Sequence, residues 1–208
     1  MTSLCGVYGA PDPELAQRPE SLGAEAEASI AAGAQQFVDA LGLWSQPGLF
    51  SWDRIDPGTA LLLSALPVFV GHGADLGCGI GVIARAVLAS PGVTRMELVD
   101  LDRRAIAAAQ RNITDGRATF HWADIRKVSA LKDLDFVVMN PPFHDGGRED
   151  KALGQAFVQQ AHDVLRPGGT AWLVANRHLP YEAVLDARFA QAVLRAEQDG
   201  FKVYEAIK

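Results

Sequence analysis

From Gly73 onward, short apolar segments alternate with longer segments in which apolar residues recur every three or four positions. The short segments predict β-strands and the longer ones predict amphipathic helices. This alternation is typical of a parallel sheet with helices packed on both faces, so we predict an α/β fold. The predicted strands span residues 74–76, 96–100, 118–122, 136–140 and 171–175, and the predicted helices span 82–89, 103–113 and the segment that carries Leu153, Phe157, Ala161, Val164 and Leu165.

Residues 1–46 predict a helical extension rather than a domain. The first part, to about residue 20, is rich in Pro and Ala and is interpreted as a loop. Ser21 is a suitable N-cap for a helix that follows it. The main domain is then predicted to span residues 47–208. The apolar residues of the predicted N-terminal helix are Ile30, Phe37, Val38 and Leu41.

Two pairs of turn-forming residues predict further element boundaries. Asp56 and Pro57 suit the N-cap and the first position of a helix. Near the C-terminus, Asp199-Gly200 is typical of a hairpin turn, so strands are expected around it. Residues 190–197, however, have a helix-forming composition, which conflicts with a strand before that turn.

Length and composition limit the class of protein. The chain has 208 residues, 49% hydrophobic and 21% charged, which fits one domain with a short extension. Its two cysteines, Cys5 and Cys78, do not suggest a disulfide framework, and its histidines show no metal-ligand spacing. Apolar runs such as 60–66 are too short for a membrane span, and the N-terminus lacks a signal-peptide pattern. We therefore expect a cytoplasmic protein without a metal and without a membrane partner.

The net charge of −6 argues at first against binding to nucleic acid. The charge is unevenly distributed, because residues 1–45 hold six acidic residues and one basic residue, whereas the remaining 163 residues hold 19 acidic and 18 basic ones. The main domain is thus nearly neutral. A local basic rim that holds RNA remains compatible with this composition.

A glycine-rich segment, Asp-Leu-Gly-Cys-Gly-Ile-Gly, follows the first predicted strand at residues 75–81. Its glycines allow a sharp turn and a close approach of the backbone to a ligand. Asp100, at the end of the second predicted strand, can accept hydrogen bonds from both hydroxyls of a ribose. The spacing differs from the pyrophosphate-binding Gly-x-Gly-x-x-Gly pattern, and Asp75 would repel a phosphate but can hold an ammonium group. The pattern therefore favours S-adenosyl-L-methionine over a nicotinamide cofactor.

The tetrapeptide Asn140-Pro141-Pro142-Phe143 closes the fourth predicted strand, so we expect it at the same edge of the sheet as the glycine-rich segment. An exocyclic amine is planar and weakly nucleophilic. The side-chain oxygen of Asn140 and the carbonyl of Pro141 can each accept one of its N–H groups and direct the lone pair at a methyl donor. Phe143 offers a face on which the target group stacks. We predict these four residues to be catalytic.

The segment at residues 75–81 resembles motif I of the class I S-adenosylmethionine-dependent methyltransferases. This resemblance implies that the backbone of the glycine turn lines the methionine end of the cofactor and that Asp100 binds the ribose. It also implies that Asp124 contacts the adenine amine and that Ile125 lies beside the ring. The cofactor-binding residues predicted around the strand ends are Asp75, Gly77, Cys78, Gly79, Gly81, Asp100, Leu101, Asp124 and Ile125.

Further segments resemble the catalytic domain of bacterial small-subunit ribosomal RNA guanine-N2 methyltransferases. The resemblance implies a Rossmann-like, seven-stranded, mostly parallel sheet with helices on both faces and a C-terminal antiparallel hairpin. It also implies that Phe50 and Thr59 lie near the cofactor. The segments that carry it are residues 47–51, 53–58, 61–64, 140–146, 174–176, 179–181 and 201–204.

The expected function is transfer of a methyl group to the N2 amine of a guanine in ribosomal RNA, free or within the small subunit. The Asn-Pro-Pro-aromatic signature also resembles that of adenine-N6 and protein glutamine-N5 methyltransferases, and a cofactor-responsive RNA-binding module is the non-enzymatic alternative. The resembling family carries a second, inactive domain that residues 1–46 are too short to contain. The chain is therefore expected to act on a smaller RNA, on a different site, or with a partner protein or an oligomer that replaces this domain. The predicted substrate-binding residues are Phe143, His144, Arg148 and Arg177.

Overall fold

The structure is a computed structural model that describes residues 33–128, 130–142, 144–145, 148–149, 151–177 and 181–208. The predicted cap Ser21 and the apolar residue Ile30 lie outside the described residues, and so does Phe143. The compact unit considered below comprises residues 35–208.

The elements of this unit alternate between strands and helices after residue 70. The strands are β1 (Gln36–Val38), β2 (Leu43–Ser45), β3 (Val70–Leu76), β4 (Gly92–Asp100), β5 (Ala118–Trp122), β6 (Leu134–Met139), β7 (His144–Asp145), β8 (Arg148–Glu149), β9 (Leu165–Asn176), β10 (Gln191–Gln198) and β11 (Phe201–Ile207). The helices are α1 (Pro57–Ala65), α2 (Val82–Leu88), α3 (Arg103–Asn112), α4 (Lys151–Val164) and α5 (Tyr181–Arg188), and a short 3₁₀ helix spans Ile125–Lys127.

A seven-stranded sheet in the order β10-β11-β9-β6-β3-β4-β5 forms the centre of the unit. Strands β5, β4, β3, β6 and β9 run parallel to one another. Strand β11 is antiparallel to β9, and β10 is antiparallel to β11. This topology confirms the predicted Rossmann-like, mostly parallel sheet with a C-terminal antiparallel hairpin.

Helices cover both faces of this sheet. One face buries Leu62 of α1, Ile83 of α2 and Ile106 of α3. The other face buries Phe157 of α4 and Leu185 of α5. Because parallel strands are buried on both faces, they are nearly continuous apolar runs, which explains why the sequence pattern located them.

The predicted N-terminal helix is wrong for Phe37, Val38 and Leu41. Phe37 and Val38 lie in β1, which pairs with β2 as an antiparallel hairpin, and Leu41 lies in the connecting turn. The rings of Phe37 and Trp44 pack edge to face across the two strands, with centroids 5.8 Å apart. Asn112 of α3 then fixes the hairpin, because its Oδ1 accepts from the Trp44 N–H at 2.7 Å and its Nδ2 donates to the Trp44 carbonyl at 2.8 Å. These long-range contacts outweigh the local helix propensity.

The C-terminal hairpin settles the conflict between turn signal and helix composition in favour of the strand. Asp199 and Gly200 have φ angles of 50° and 83°, which are typical of a two-residue hairpin turn. The segment with helix-forming composition therefore belongs to β10 and pairs along β11 from Gln191↔Ile207 to Gln198↔Phe201. Pairing with a strand that is itself held by β9 overrides the weak helical preference.

Candidate active site

The carboxyl ends of β3, β4, β5 and β6 meet at one edge of the sheet, where a cavity of about 930 Å³ opens. Strand β3 lies between β4 and β6, so the strand order reverses there and leaves a crevice between two connections. The cavity is lined by Gly48, Leu49, Phe50, Gly77, Gly79, Ile80, Asp100, Leu101, Asp102, Arg103, Ala105, Trp122, Ala123, Asp124, Ile125, Arg126, Asn140, Pro141, Pro142, Leu153 and Phe157.

The glycine turn between β3 and α2 brings backbone, rather than side chains, to the cavity. Gly77 donates its N–H to the Val99 carbonyl at 2.8 Å. At Gly79, with a φ of 53°, no described atom lies within 4 Å of where a Cβ would stand, so a ligand can approach the backbone. At Gly81, with a φ of 89°, a Cβ would lie 2.8 Å from Cδ1 of Ile113, so this glycine allows α2 and α3 to pack closely.

Asp100, at the end of β4, connects the glycine turn to the next turn. Its Oδ2 accepts the Gly79 N–H and its Oδ1 accepts the Asp102 N–H, each at 2.8 Å. Burial raises the pKa of this carboxyl, although the two backbone donors counteract the rise. The carboxylate lines the cavity in a fixed orientation, and each oxygen keeps a further lone pair for a ligand.

Asp75 and Cys78, both predicted to bind the cofactor, lie beneath the turn and are not among the described residues that line the cavity. Asp75 is fully buried, its Oδ2 accepts the Ala84 N–H at 3.0 Å, and its Oδ1 has no hydrogen-bond partner among the described residues. Burial raises the pKa of Asp75 to about 8; the Ala84 N–H counteracts this rise and the charge of Asp100 adds to it. Burial likewise raises the pKa of the Cys78 thiol well above its ordinary value.

The segment after β5 forms one wall of the cavity. Ile125 is buried against it, and Asp124 is the N-cap of the 3₁₀ helix, where its Oδ1 accepts the Arg126 N–H at 3.0 Å. The Arg126 guanidinium also pairs with this carboxylate at 2.7 Å and lowers the pKa of Asp124 to about 2. A negative charge is therefore held at this wall throughout the physiological pH range.

Two predicted cofactor residues from the segment before β3 have different positions. Phe50 lines the cavity and is 70% exposed. Thr59 is buried in the first turn of α1 and is not among the described cavity-lining residues. Its hydroxyl oxygen accepts a hydrogen bond from Nδ2 of Asn140 at 2.8 Å.

Asn140, Pro141 and Pro142 follow β6 and line the cavity. Nδ2 of Asn140 also donates to Oδ2 of Asp56 at 3.1 Å, and Oδ1 of Asn140 is buried without a hydrogen-bond partner among the described residues. The two ends of this amide thus have different environments. The nitrogen is bound to protein acceptors, whereas the oxygen has no donor among the described residues.

The predicted substrate-binding residues are only partly covered by the structure. Phe143 lies outside the described residues. The backbone of His144 pairs with Glu149, and that of Arg148 pairs with Asp145, between the antiparallel strands β7 and β8, whereas the side chains of His144 and Arg148 are not described. Arg177 follows β9, is half-exposed and forms an ion pair with Glu197 at 2.8 Å. It is not among the described cavity-lining residues.

Sequence reasoning missed two parts of this site. Asp56 was recognised as a helix cap, but its contact with Asn140 spans 84 positions and has no local signal. Trp122, which the sequence pattern places only at the end of a strand, is 63% exposed at the cavity. Its indole N–H donates to the Leu101 carbonyl at 2.8 Å, and the Arg103 guanidinium lies 5.7 Å from the ring centroid.

The described part of the chain contains neither a membrane-spanning helix nor a metal-binding cluster. No helix there is long and apolar enough to cross a membrane. No group of three or more His, Cys, Asp or Glu residues there is arranged to hold a metal ion.

The model of the methyltransferase small domain family matches residues 40–205. Ribosomal RNA small subunit methyltransferase C of Hahella chejuensis is 36% identical over 177 residues, which are 84% of this chain and 52% of that protein. The namesake from Shewanella sediminis is 37% identical over 158 residues, 76% of this chain and 46% of that protein. The chain therefore spans about half the length of the curated relatives that it matches.

Solved structures show the same similarity. The T. thermophilus 16S rRNA N2 methyltransferase in complex with AdoMet and guanosine superimposes with a TM-score of 0.70 at 30% identity, covering 84% of this chain and 50% of that one. The N-methyltransferase NodS of Bradyrhizobium japonicum has a TM-score of 0.55 at 20% identity, covering 72% of this chain and 84% of that one. The latter similarity concerns the fold alone.

Proposed function

The chain belongs to the methyltransferase small domain family, and from this membership we propose that it transfers a methyl group from S-adenosylmethionine to the N2 amine of a guanine in ribosomal RNA. The observation that carries the proposal is the Asn140 amide, whose buried Oδ1 has no hydrogen-bond partner among the described residues. This amide shares a cavity with the glycine turn. The cavity therefore combines Asn140, which can accept from an amine, with a glycine turn that can bind a methyl donor, and this combination supports amine methylation.

The residues of the cavity fit S-adenosylmethionine. The volume of about 930 Å³ is at the upper end of the range for small-molecule sites, roughly 300–1,000 Å³. Gly79 leaves space beside the backbone where any other residue would place a side chain.

We assign each part of the cofactor to the residues that follow a particular strand. The backbone at Gly77 and Gly79 is assigned to the methionine part, Asp100 to the ribose hydroxyls, and Asp124 with Ile125 to the adenine. When bound, S-adenosylmethionine would supply an electrophilic methyl group; its sulfur would leave as a neutral thioether, and the methylated nitrogen would release one proton to solvent. The residues of this chain therefore need to align the acceptor, and orientation alone supplies much of the rate enhancement.

Asn140 and Pro141 are assigned to the target amine. Oδ1 of Asn140 and the carbonyl of Pro141 accept its two N–H groups, which draws electron density toward the nitrogen and fixes the direction of its lone pair. Pro142 restricts the backbone that presents this carbonyl. In paired RNA the guanine has to leave the stack to reach the cavity.

We choose guanine in ribosomal RNA as the substrate because of what the relatives are named to act on and to bind. The curated relatives are named as ribosomal RNA small subunit methyltransferases, and the T. thermophilus structure is a complex with guanosine as well as AdoMet. Adenine-N6 and glutamine-N5 share the same amine chemistry and are the alternatives that the test has to separate.

The test is incubation of the full chain with methyl-labelled S-adenosylmethionine and, in parallel, small ribosomal subunits, free ribosomal RNA or a protein extract. We expect label in N2-methylguanosine after nucleoside analysis of the RNA. The same chain with Asn140→Ala is the matched control. Label in N6-methyladenosine or in protein glutamine would replace the proposed substrate, and cofactor binding without transfer would favour the non-enzymatic module.

A further inference from the structure

The side-chain amide of Asn140 has one defined orientation. Its Nδ2 donates to two acceptors, Oδ2 of Asp56 at 3.1 Å and Oγ1 of Thr59 at 2.8 Å. An amide nitrogen carries two protons, so both are used within the protein. The opposite end, Oδ1, is buried and has no hydrogen-bond partner among the described residues.

Asp56 determines which end of the amide points where. A carboxylate accepts hydrogen bonds and donates none, so rotation of the Asn140 amide by 180° would place Oδ1 against a negatively charged oxygen. The hydroxyl of Thr59 is compatible with either end, because it can accept or donate. Asp56 therefore selects the orientation, and Thr59 binds the second proton.

The two acceptors are held on one rigid turn. Asp56 is the N-cap of α1, and the same Oδ2 that contacts Asn140 accepts the Thr59 N–H at 2.8 Å. Between them, a Cβ at Gly58 would lie 2.8 Å from the ring of Phe201 in β11, so the start of α1 packs directly on the sheet. The same carboxylate oxygen of Asp56 thus caps the helix and holds Asn140.

We propose that Asp56 and Thr59 are positioning residues that bind both amide protons of Asn140 and so present its oxygen to the amine that becomes methylated. This inference rests on the proposed function of Asn140. The two hydrogen bonds also polarise the amide, which makes Oδ1 a better acceptor. Thr59, for which the family resemblance implied a place near the cofactor, then acts through Asn140 and not through a cofactor contact.

The first test is Thr59→Val, which removes the hydroxyl and leaves both the size of the side chain and the Asp56 cap to the backbone. We expect kcat to fall about tenfold, the scale of one lost hydrogen bond, while KM for RNA and the calorimetric affinity for S-adenosylmethionine stay near wild type. Thr59→Ser keeps an acceptor and is expected to restore kcat. Ser64→Ala removes an exposed hydroxyl from the same helix and is the matched control.

A double-mutant cycle separates positioning from other roles of Thr59. In an Asn140→Ala chain no amide remains to be oriented, so Thr59→Val should not lower the residual turnover further. If the tenfold loss persists in that background, or if cofactor affinity falls with kcat, the positioning role is refuted.

A second measurement needs no activity and therefore separates this inference from the proposed function. In ¹⁵N spectra of the full chain, the Asn140 side-chain NH₂ should show two protons protected from solvent exchange. Thr59→Val should expose one of them, and Asp56→Asn, which retains an oxygen, should keep more protection than Asp56→Ala. Unchanged Asn140 signals in Thr59→Val would overturn the inference even if the wild type methylates RNA.

Discussion

The buried carboxyl group of Asp75 gives a quantitative prediction about stability. Burial raises its pKa from 3.8 to about 8. The hydrogen bond from the Ala84 N–H lowers this pKa, and the nearby charge of Asp100 raises it further. In the unfolded chain the group titrates near its ordinary value. Between the two pKa values the folded protein holds a proton that the unfolded chain has released. The free energy of unfolding therefore falls as the pH rises through this interval.

The magnitude follows from one proton. The contribution of Asp75 is fully present below pH 3.8 and is lost as the pH approaches about 8. Each pH unit between these values lowers the free energy of unfolding by about 1.4 kcal/mol, so the free energy of unfolding falls by about 2.7 kcal/mol from pH 5 to pH 7. Asp75→Asn keeps the shape and the oxygen that accepts from Ala84 but binds no proton. We expect its stability relative to wild type to increase by about 2.7 kcal/mol over that interval.

The assay is urea unfolding of both proteins at pH 5, 6, 7 and 8, followed by tryptophan fluorescence. Subtracting the two curves removes every titrating group that the proteins share. Asp115→Asn is the control, because Arg117 lowers the pKa of Asp115 to about 2 and its difference from wild type should not vary between pH 5 and pH 8. A pH-independent difference for Asp75→Asn would show that its carboxyl is not protonated in the folded protein.

Three further predictions concern the cavity. Asn140→Ala should lower turnover by roughly 100-fold, about 3 kcal/mol of lost orientation, with cofactor affinity preserved in calorimetry; equal turnover would remove its proposed role. Asp100→Ala should weaken cofactor binding, and unchanged calorimetric affinity would contradict the ribose assignment. Gly79→Ala should reduce cofactor affinity because its Cβ enters the cavity, whereas Gly81→Ala should chiefly lower thermal stability because its Cβ meets Ile113. The reverse pattern would refute this division between a ligand-facing and a structural glycine.

The start of the first parallel strand shows one limit of local sequence reasoning. The sequence predicts a strand from residue 74, but β3 begins at Val70 and includes Gly71-His72-Gly73. A Cβ at Gly73 would lie 2.1 Å from the ring of Phe136 on the neighbouring strand. The glycine thus makes room for a side chain 63 positions away, a cause that the composition around residue 73 does not reveal.

Helix α5 shows another limit. Its segment Tyr181–Arg188 is short, and its two buried residues, Tyr181 and Leu185, are one helical turn apart. Two positions are too weak a periodic signal for a helix of this length. The packing of Leu185 into the core beneath the sheet stabilises this helix, which local propensity alone does not predict.

Around the cavity, sequence reasoning worked where residues directly follow strands. The glycine turn, Asp100 and Asn140 come together because carboxyl ends of parallel strands share one edge of the sheet. It could not locate Asp56 against Asn140, because that contact depends on how α1 packs on β11. It also placed Asp75 and Cys78 among ligand contacts, whereas the structure buries both beneath the turn.

Asn112 connects the β1–β2 hairpin to the glycine turn that lines the cavity. Besides its two bonds to Trp44, its Nδ2 donates to the carbonyl of Ile80 in the glycine turn at 2.9 Å. The chain is therefore anchored at Trp44, and further along Leu49 packs with Ile80 in one buried cluster next to Phe50. Loss of the Asn112 amide would therefore loosen the hairpin and the glycine turn together.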